Sequence, residues 1–97
     1  MFRIEYMQEA VKDLKWFGKP EQRQIVDAID GQLRYDPTVK TRNRKRLRTN
    51  SIADWELRIG DFRVLYNVDQ QVRIVEIRRI GEKRRSEIFF RGQKEDL

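Results

Sequence analysis

The sequence predicts an α+β fold contained in a single domain that covers residues 1–97. In this fold, an N-terminal strand and a helix hairpin pack on a mostly antiparallel, twisted sheet of four to five strands. Apolar residues recur at helical spacing early in the chain and alternate with polar residues, as in strands, over most of the second half. A sheet with one apolar face needs a second layer to cover it, and the helix pair supplies that layer.

The first part of the chain is predicted to form one strand and two helices. Residues 2–6 (FRIEY) alternate apolar and polar side chains, as a half-buried strand does. From Gln8 the apolar spacing changes to three and four residues, and Gly18 is expected to end this first helix. Lys19-Pro20 opens the second helix, because proline is tolerated in a first turn. Asp36-Pro37 ends the second helix. Its apolar residues recur at helical spacing and are predicted to face the core: Ile25, Ala28, Ile29 and Leu33.

The segment 38–50 (TVKTRNRKRLRTN) shows no apolar period and is predicted to be an exposed loop leading into the sheet. Six of the nine residues from Lys40 to Arg48 are basic and none is acidic. Such a run is typical of a surface that contacts phosphates. The candidate nucleic-acid contacts in it are Lys40, Arg42, Arg44, Lys45, Arg46 and Arg48.

The second half is predicted to be a meander of antiparallel strands. Gly60-Asp61 is expected to form a tight hairpin turn, Asp69-Gln70-Gln71 a second turn, and the basic residues after Gly81 a third. The tail, 92–97, is polar and expected to be loose. The predicted strands are 54–59 (DWELRI), 62–68 (FRVLYNV), 72–80 (VRIVEIRRI) and 86–91 (SEIFFR).

Composition limits the chemistry that the chain can perform. Lys and Arg together number 22 against 16 Asp and Glu, a net charge of +6, which favours a polyanionic partner. The chain has no Cys and no His, so thiolate chemistry and the usual metal ligands are absent, and neither a metal nor a cofactor is expected. No apolar run reaches membrane-spanning length and no signal peptide is recognised. The expected location is the cytoplasm, with no membrane partner.

Residues 55–66 (WELRIGDFRVLY) and 81–89 (GEKRRSEIF) resemble the core of the RelE/ParE toxin superfamily. The hairpin fits the superfamily pattern LR-x-G-x-[FY]-R-x-x-Y, and the order of predicted elements also agrees along nearly the whole chain. RelE-like members cleave mRNA in the ribosomal A site, whereas ParE-like members inhibit DNA gyrase and lack the nuclease residues. The resemblance also implies a cognate antitoxin that wraps the toxin, with operator DNA bound only through the antitoxin complex.

The resemblance implies roles for several residues of the second half. Arg63 matches the strand arginine that contacts the scissile phosphate in RelE-like nucleases, and Arg58 is another basic position of the same surface. Lys83 falls where these nucleases carry a second phosphate-stabilising arginine, next to Arg84 and Arg85. Phe89, where these nucleases often carry tyrosine, is a candidate for stacking on a base. They also often carry lysine at the positions of Asp54 and Glu56.

RNA cleavage by attack of a ribose 2′-hydroxyl on the adjacent phosphate has three requirements. A base must take the hydroxyl proton, the phosphorane charge must be stabilised, and a donor must protonate the departing 5′-oxygen. Arg63 suits charge stabilisation because guanidinium binds phosphate in a bidentate way. Glu56 is the best candidate base on chemical grounds, or else a carboxylate that pairs with Arg58 or Arg63. Lys83 is a candidate acid or base, or else part of a solvated turn.

Three functions remain open at this stage. The first is a type II toxin that acts as a metal-independent, ribosome-dependent endoribonuclease on mRNA, which the basic 40–48 run and the Arg58 and Arg63 pair favour. The second is a ParE-like gyrase inhibitor without nuclease chemistry. The acidic Asp54 and Glu56, the lack of a tyrosine at position 89 and the lack of any histidine leave this function open. The third is a degenerate toxin that only binds its antitoxin and DNA as a repressor complex.

Overall fold

The computed structural model describes all 97 residues and confirms the α+β class. Two helices pack on one seven-stranded sheet, with more strands than the sequence predicted. The elements are β1 (Arg3–Tyr6), α1 (Gln8–Trp16), α2 (Lys19–Leu33), β2 (Arg44–Arg46), β3 (Trp55–Ile59), β4 (Phe62–Asp69), β5 (Ile74–Arg84), β6 (Glu87–Phe90) and β7 (Gln93–Glu95). No helix is long and apolar enough to cross a membrane.

The sheet has the strand order β2-β3-β4-β5-β6-β7, with every neighbouring pair antiparallel. The first strand, β1, lies parallel to the beginning of β5, on the same edge that β6 occupies further along. A bulge between Leu65 and Tyr66 shifts the β4–β5 register, as bulges do where a sheet bends. The hairpin turn at Gly60 was predicted correctly, and its φ of 57° favours glycine.

The main core lies between the helices and one face of the sheet, called here the helix face. Ile25, Ile29 and Leu33 of α2 are fully buried, as their helical spacing predicted. Strands β3 and β4 contribute every second side chain to this core. Trp55 and Tyr66 are among them, and their rings stack with centroids 6.2 Å apart. This burial of apolar area is the main source of the stability of the fold.

A buried carboxylate fills a gap in the sheet. Between its pairing with β1, which ends at Ile77, and its pairing with β6, which begins at Glu82, β5 has no neighbour on that edge. Asp13 of α1, which has no exposed surface, accepts a hydrogen bond there from the backbone N–H of Ile80 at 3.0 Å. It also accepts two from the Arg79 guanidinium, at 2.7 and 3.1 Å. The helix therefore completes the ladder where the strands do not.

Three predicted segments differ in the structure. The basic segment 38–50 is not entirely loop, because Arg44–Arg46 pairs with β3 as an edge strand. The predicted turn after Gly81 is wrong, since β5 continues to Arg84 and the turn falls at Arg85 and Ser86. The tail is not loose throughout, because Gln93–Glu95 pairs with β6. Backbone pairing at a sheet edge does not require apolar alternation, so the sequence pattern gave no signal for β2 or β7.

The opposite face of the sheet, called here the open face, carries a second, smaller core. The charged Glu56 and Arg63 lie on this face, and apolar residues are buried beside them. The buried members are Ala53, Leu65, Ile88 and Phe90, with Leu47 and Ile52 packed against them. The sheet curves around this cluster, so its two edge strands, β2 and β7, line one common groove.

Candidate functional site

The groove on the open face has a volume of about 380 Å³, in the range of pockets that hold small ligands. Strand β2 and the residues after it form one side, and β7 with the residues after it forms the other. Charged and polar side chains dominate its lining. The charged lining residues are Lys45, Arg46, Arg48, Glu56, Arg63, Lys83, Glu87, Lys94, Glu95 and Asp96.

Arg63 is held rigidly in the groove. Its side chain is 8% exposed, and its Nη1 donates hydrogen bonds to the carbonyl oxygens of Gly60 at 2.7 Å and Phe62 at 2.9 Å. Its Nε lies 3.5 Å from Oε1 of Glu56, which is equally buried. At that length the ion pair leaves the buried Nε without a hydrogen-bond partner. A buried donor of this kind is rare in proteins and can be satisfied by a ligand.

The electrostatics around Arg63 come from burial and a few charged neighbours. Burial lowers the pKa of the Arg63 guanidinium, and the Glu56 carboxylate acts in the opposite direction. Arg58 adds a smaller lowering effect. Even so, an arginine in a protein keeps its proton, so the pair is a cation beside a carboxylate. The groove therefore holds a fixed guanidinium and a carboxylate side by side in a partly desolvated setting, where electrostatic interactions are strengthened.

The structure brings together six of the thirteen predicted site residues, those that line the groove: Glu56, Arg63, Lys83, Lys45, Arg46 and Arg48. Lys83 shares a face with Arg63, because Arg63 is paired with Gly81 and side chains alternate along β5. Arg58 is directly opposite Arg63 in the β3–β4 register but is exposed and lies outside the groove lining. The remaining six residues also lie outside the lining, and two of them occupy positions that conflict with the predicted role.

Arg44 is a structural residue, not a free nucleic-acid contact. It is only 9% exposed, and its guanidinium donates to the carbonyl oxygens of Val39 at 3.0 Å and Gln32 at 2.7 Å, and to the Gln32 side chain at 3.1 Å. These bonds tie the start of β2 to the end of α2. The sequence did not distinguish this arginine from its neighbours because the whole run is basic.

Phe89 lies on the helix face, not in the groove. The register pairs Phe62 with Glu82 and Glu82 with Phe89, and directly paired residues share a face, so Phe89 lies on the side opposite Arg63. Its ring is covered by the Arg84 guanidinium, 5.2 Å from the ring centroid. Phe90, its neighbour, is instead buried under the groove. A base bound at Arg63 therefore has no access to the Phe89 ring.

The other predicted contacts remain at the surface. Lys40 and Arg42 are exposed before β2, and Arg84 and Arg85 are exposed at the turn between β5 and β6. Arg84 is also paired with Glu82 at 2.6 Å. None of the four lines the groove. Their positive charge can raise the local concentration of a polyanion without touching the site.

Sequence reasoning missed Asn50, which organises the groove wall. Its Nδ2 donates to the carbonyl oxygens of Arg48 at 2.7 Å and Ala53 at 2.9 Å. Its Oδ1 accepts from the backbone N–H groups of Ile52 at 2.7 Å and Ala53 at 3.0 Å. The amide nitrogen thus donates two hydrogen bonds and the amide oxygen accepts two. These four bonds fix the loop that carries Arg48. An asparagine in a polar, turn-rich segment was the available signal.

Sequence reasoning also missed the contribution of the tail. Lys94, Glu95, Asp96 and Leu97 line the groove opposite the basic β2 side. Their polar, unpatterned sequence carries no signal of this, because only the curvature of the sheet brings the two edges together.

Solved structures share this fold. A chain of the RelBE2 toxin–antitoxin complex from Mycobacterium tuberculosis matches with a TM-score of 0.73 and 24% identity, over 84% of this chain and 98% of that one. The isolated Escherichia coli RelE toxin matches with a TM-score of 0.71 and 17% identity, over 90% and 89% of the two chains. A YoeB chain from Staphylococcus aureus, solved as a dimer, matches with a TM-score of 0.64 and 19% identity, over 87% and 98%.

The fold is therefore that of the RelE-type toxins. At the level of sequence, the model of the ParE toxin of the type II toxin–antitoxin system parDE matches residues 4–87. The chain belongs to this ParE toxin family, within the RelE/ParE superfamily, and is a toxin of a type II toxin–antitoxin system. A search among curated proteins found no match.

Proposed function

We propose that this toxin is a metal-independent endoribonuclease that cleaves mRNA on the ribosome, with the groove as its active site. The observation that carries the proposal is the buried Arg63 guanidinium, whose Nε has no hydrogen-bond partner. A phosphate oxygen would satisfy this donor and would receive a charge-assisted hydrogen bond. The RelE-like resemblance of the 55–66 hairpin, described above, supports RNA as the source of that phosphate.

The proposed chemistry uses three groups. Arg63 stabilises the negative charge that develops on the phosphorane, since its guanidinium is already fixed and needs no reorganisation. Glu56, 3.5 Å from Arg63, accepts the proton of the attacking 2′-hydroxyl. Lys83, on the same face, delivers a proton to the departing 5′-oxygen. Lys45, Arg46 and Arg48 bind the flanking phosphates.

We also propose a cognate antitoxin as partner. Solved structures that share this fold include a complex of RelE with RelB from Pyrococcus horikoshii and a complex of YoeB with YefM from Staphylococcus aureus. Large apolar side chains at the surface of this chain, among them Trp16 at 48% exposed and Tyr35 at 66%, give such a partner apolar area to cover. Operator DNA is proposed to bind only through that complex.

The decisive experiment is a translation reaction programmed with a defined mRNA and read by primer extension. We expect new 5′ ends only when ribosomes translate the message. Arg63→Lys keeps the charge but loses the planar fork, and we expect it to reduce cleavage about 100-fold or more. Glu56→Gln removes the proton acceptor and should reduce cleavage to a similar extent.

The control for charge is Arg23→Gln, which removes an exposed cation from α2 and should leave cleavage unchanged. Thermal melts establish that each variant is folded. Intact mRNA in the presence of folded wild-type toxin would contradict the proposal. The family match to ParE then makes a gyrase supercoiling assay the next measurement.

A further inference from the structure

The two sides of the groove carry opposite charge. The charged residues of the β2 side are all cations, namely Lys45, Arg46 and Arg48. On the β7 side the charge of Lys94 is paired with Glu87, and two further carboxylates follow, Glu95 and Asp96. A single strand of RNA in this groove meets different partners on its two flanks, since its phosphates are anionic and its base edges carry neutral donors and acceptors.

Glu95 faces into the groove from β7. The register pairs Lys83 with Ile88 and Ile88 with Glu95, so all three side chains share the open face with Arg63. Glu95 forms no salt bridge, whereas the other groove carboxylates of the sheet strands do. Glu56 pairs with Arg63. Likewise, Glu87 pairs with Lys94 at 3.3 Å. Arg79 is close enough to interact with Glu95 electrostatically, but the Glu95 oxygens accept no hydrogen bond within the chain and are available to a ligand.

The unpartnered Nε of Arg63 is an independent indication of where the ligand lies. This atom is buried, and Arg63 forms part of the groove lining between the two sides. A phosphate held there and by the cationic side leaves the attached nucleoside to extend toward the β7 side. Its base edge then approaches Glu95.

We infer that Glu95, with Asp96 beside it, determines which base the groove accepts, favouring bases with an exocyclic amino group over uracil. This inference rests on the proposed function. A carboxylate only accepts hydrogen bonds. Cytosine offers it the N4 amino donor, as in carboxylate contacts to cytosine in nucleic-acid complexes. Uracil places the O4 acceptor at the same point, and two acceptors facing each other in a partly desolvated groove cost binding energy.

Cytidine and uridine at the end of a codon isolate this effect on the ribosome. Codons that differ only by a final C or U encode the same amino acid, so the translated peptide is unchanged. An mRNA whose strongest cleavage site has been mapped is remade with C or U at the final position of the codon that is cut, and cleavage rates are compared by primer extension. For wild-type toxin we expect the C message to be cut about tenfold faster or more than the U message.

The variant Glu95→Gln replaces an acceptor by a group that both donates and accepts. We expect the preference for C to fall to within about twofold, because the amide can donate to O4 of uracil. A residue that only supported the fold would change both rates together and leave their ratio intact. The matched control Asp27→Asn removes a carboxylate from the exposed surface of α2 and should preserve the ratio.

The outcomes are distinguishable. Equal cleavage of C and U messages by the wild type overturns the inference and leaves the proposed function standing. A preference that persists in Glu95→Gln also overturns it. Absence of cleavage of either message refutes the proposed function, and the inference with it.

Discussion

Two tyrosines with buried hydroxyl groups differ in a single hydrogen bond. Tyr66 donates its hydroxyl to the carbonyl oxygen of Pro37 at 2.6 Å, and burial raises its pKa. Tyr6 has a buried hydroxyl with no partner, and burial, reinforced by Asp30, raises its pKa to about 12. Both phenols are neutral, but only one of them has its donor satisfied.

Removal of the hydroxyl should therefore lower stability at Tyr66 but not at Tyr6. We expect Tyr66→Phe to lower the free energy of unfolding by about 1–2 kcal/mol, because the Pro37 carbonyl loses its partner. Tyr6→Phe should leave it unchanged or raise it by about 1 kcal/mol, since an unsatisfied buried group is removed. Urea unfolding followed by tryptophan fluorescence measures both. A loss of equal size in the two variants would contradict this account.

At the scale of elements, the close packing of β6 against β5 depends on one glycine. Gly81 is buried in β5, directly opposite Arg63. A Cβ added there would collide with the backbone oxygen of Phe89 and lie 2.7 Å from the Phe90 ring. The close approach of the two strands, and the floor of the groove above them, therefore require a residue without a side chain.

Two glycine-to-alanine variants test this requirement. Gly81→Ala should destabilise the fold by about 2–3 kcal/mol, because backbone cannot move aside as a flexible side chain can. Gly31→Ala, in α2 with nothing within 4 Å of the added carbon, should instead stabilise it by about 0.5–1 kcal/mol through helix propensity. Thermal and urea unfolding report both effects. A Gly81→Ala protein as stable as the wild type would show that β6 has room to shift.

Across the whole molecule, Asp13 connects segments that are distant in sequence. Its carboxylate joins α1 to Arg79 and Ile80 of β5, and Arg91, in the turn before β7, approaches it at 3.3 Å. The hydrogen bond to Asp13 is the main reason that the pKa of Arg79 is raised. Arg79 in turn lies over the Phe90 ring, 4.2 Å from its centroid, so the network extends to the second core.

Loss of this carboxylate should affect the entire fold. We expect Asp13→Ala to lower the free energy of unfolding by about 3–5 kcal/mol, because it leaves the partly buried Arg79 and the Ile80 N–H uncompensated. Asp27→Ala, at an exposed position of α2, should change it by less than about 0.5 kcal/mol. The comparison is made by urea unfolding. A cost below about 1 kcal/mol would mean that water replaces the carboxylate at the gap in the ladder.

The sequence alone was sufficient for the parts of the fold that follow from local pattern. Helical spacing identified Ile25, Ile29 and Leu33 as core, and alternation identified β3 and β4 with the turn at Gly60. These features are determined by which side chains must leave water, and that is written in the order of the residues. The family resemblance rested on the same hairpin.

Tertiary structure decided the rest of the site. Only the curvature of the sheet brings β7 across from β2 and gives Glu95 a place in the groove. Only packing distinguishes Arg44, which is buried and bonded to Gln32, from the exposed basic residues beside it. Charge and alternation state which residues prefer water, but not which distant segments meet. That depends on how strands pair and bend, which is a property of the whole chain.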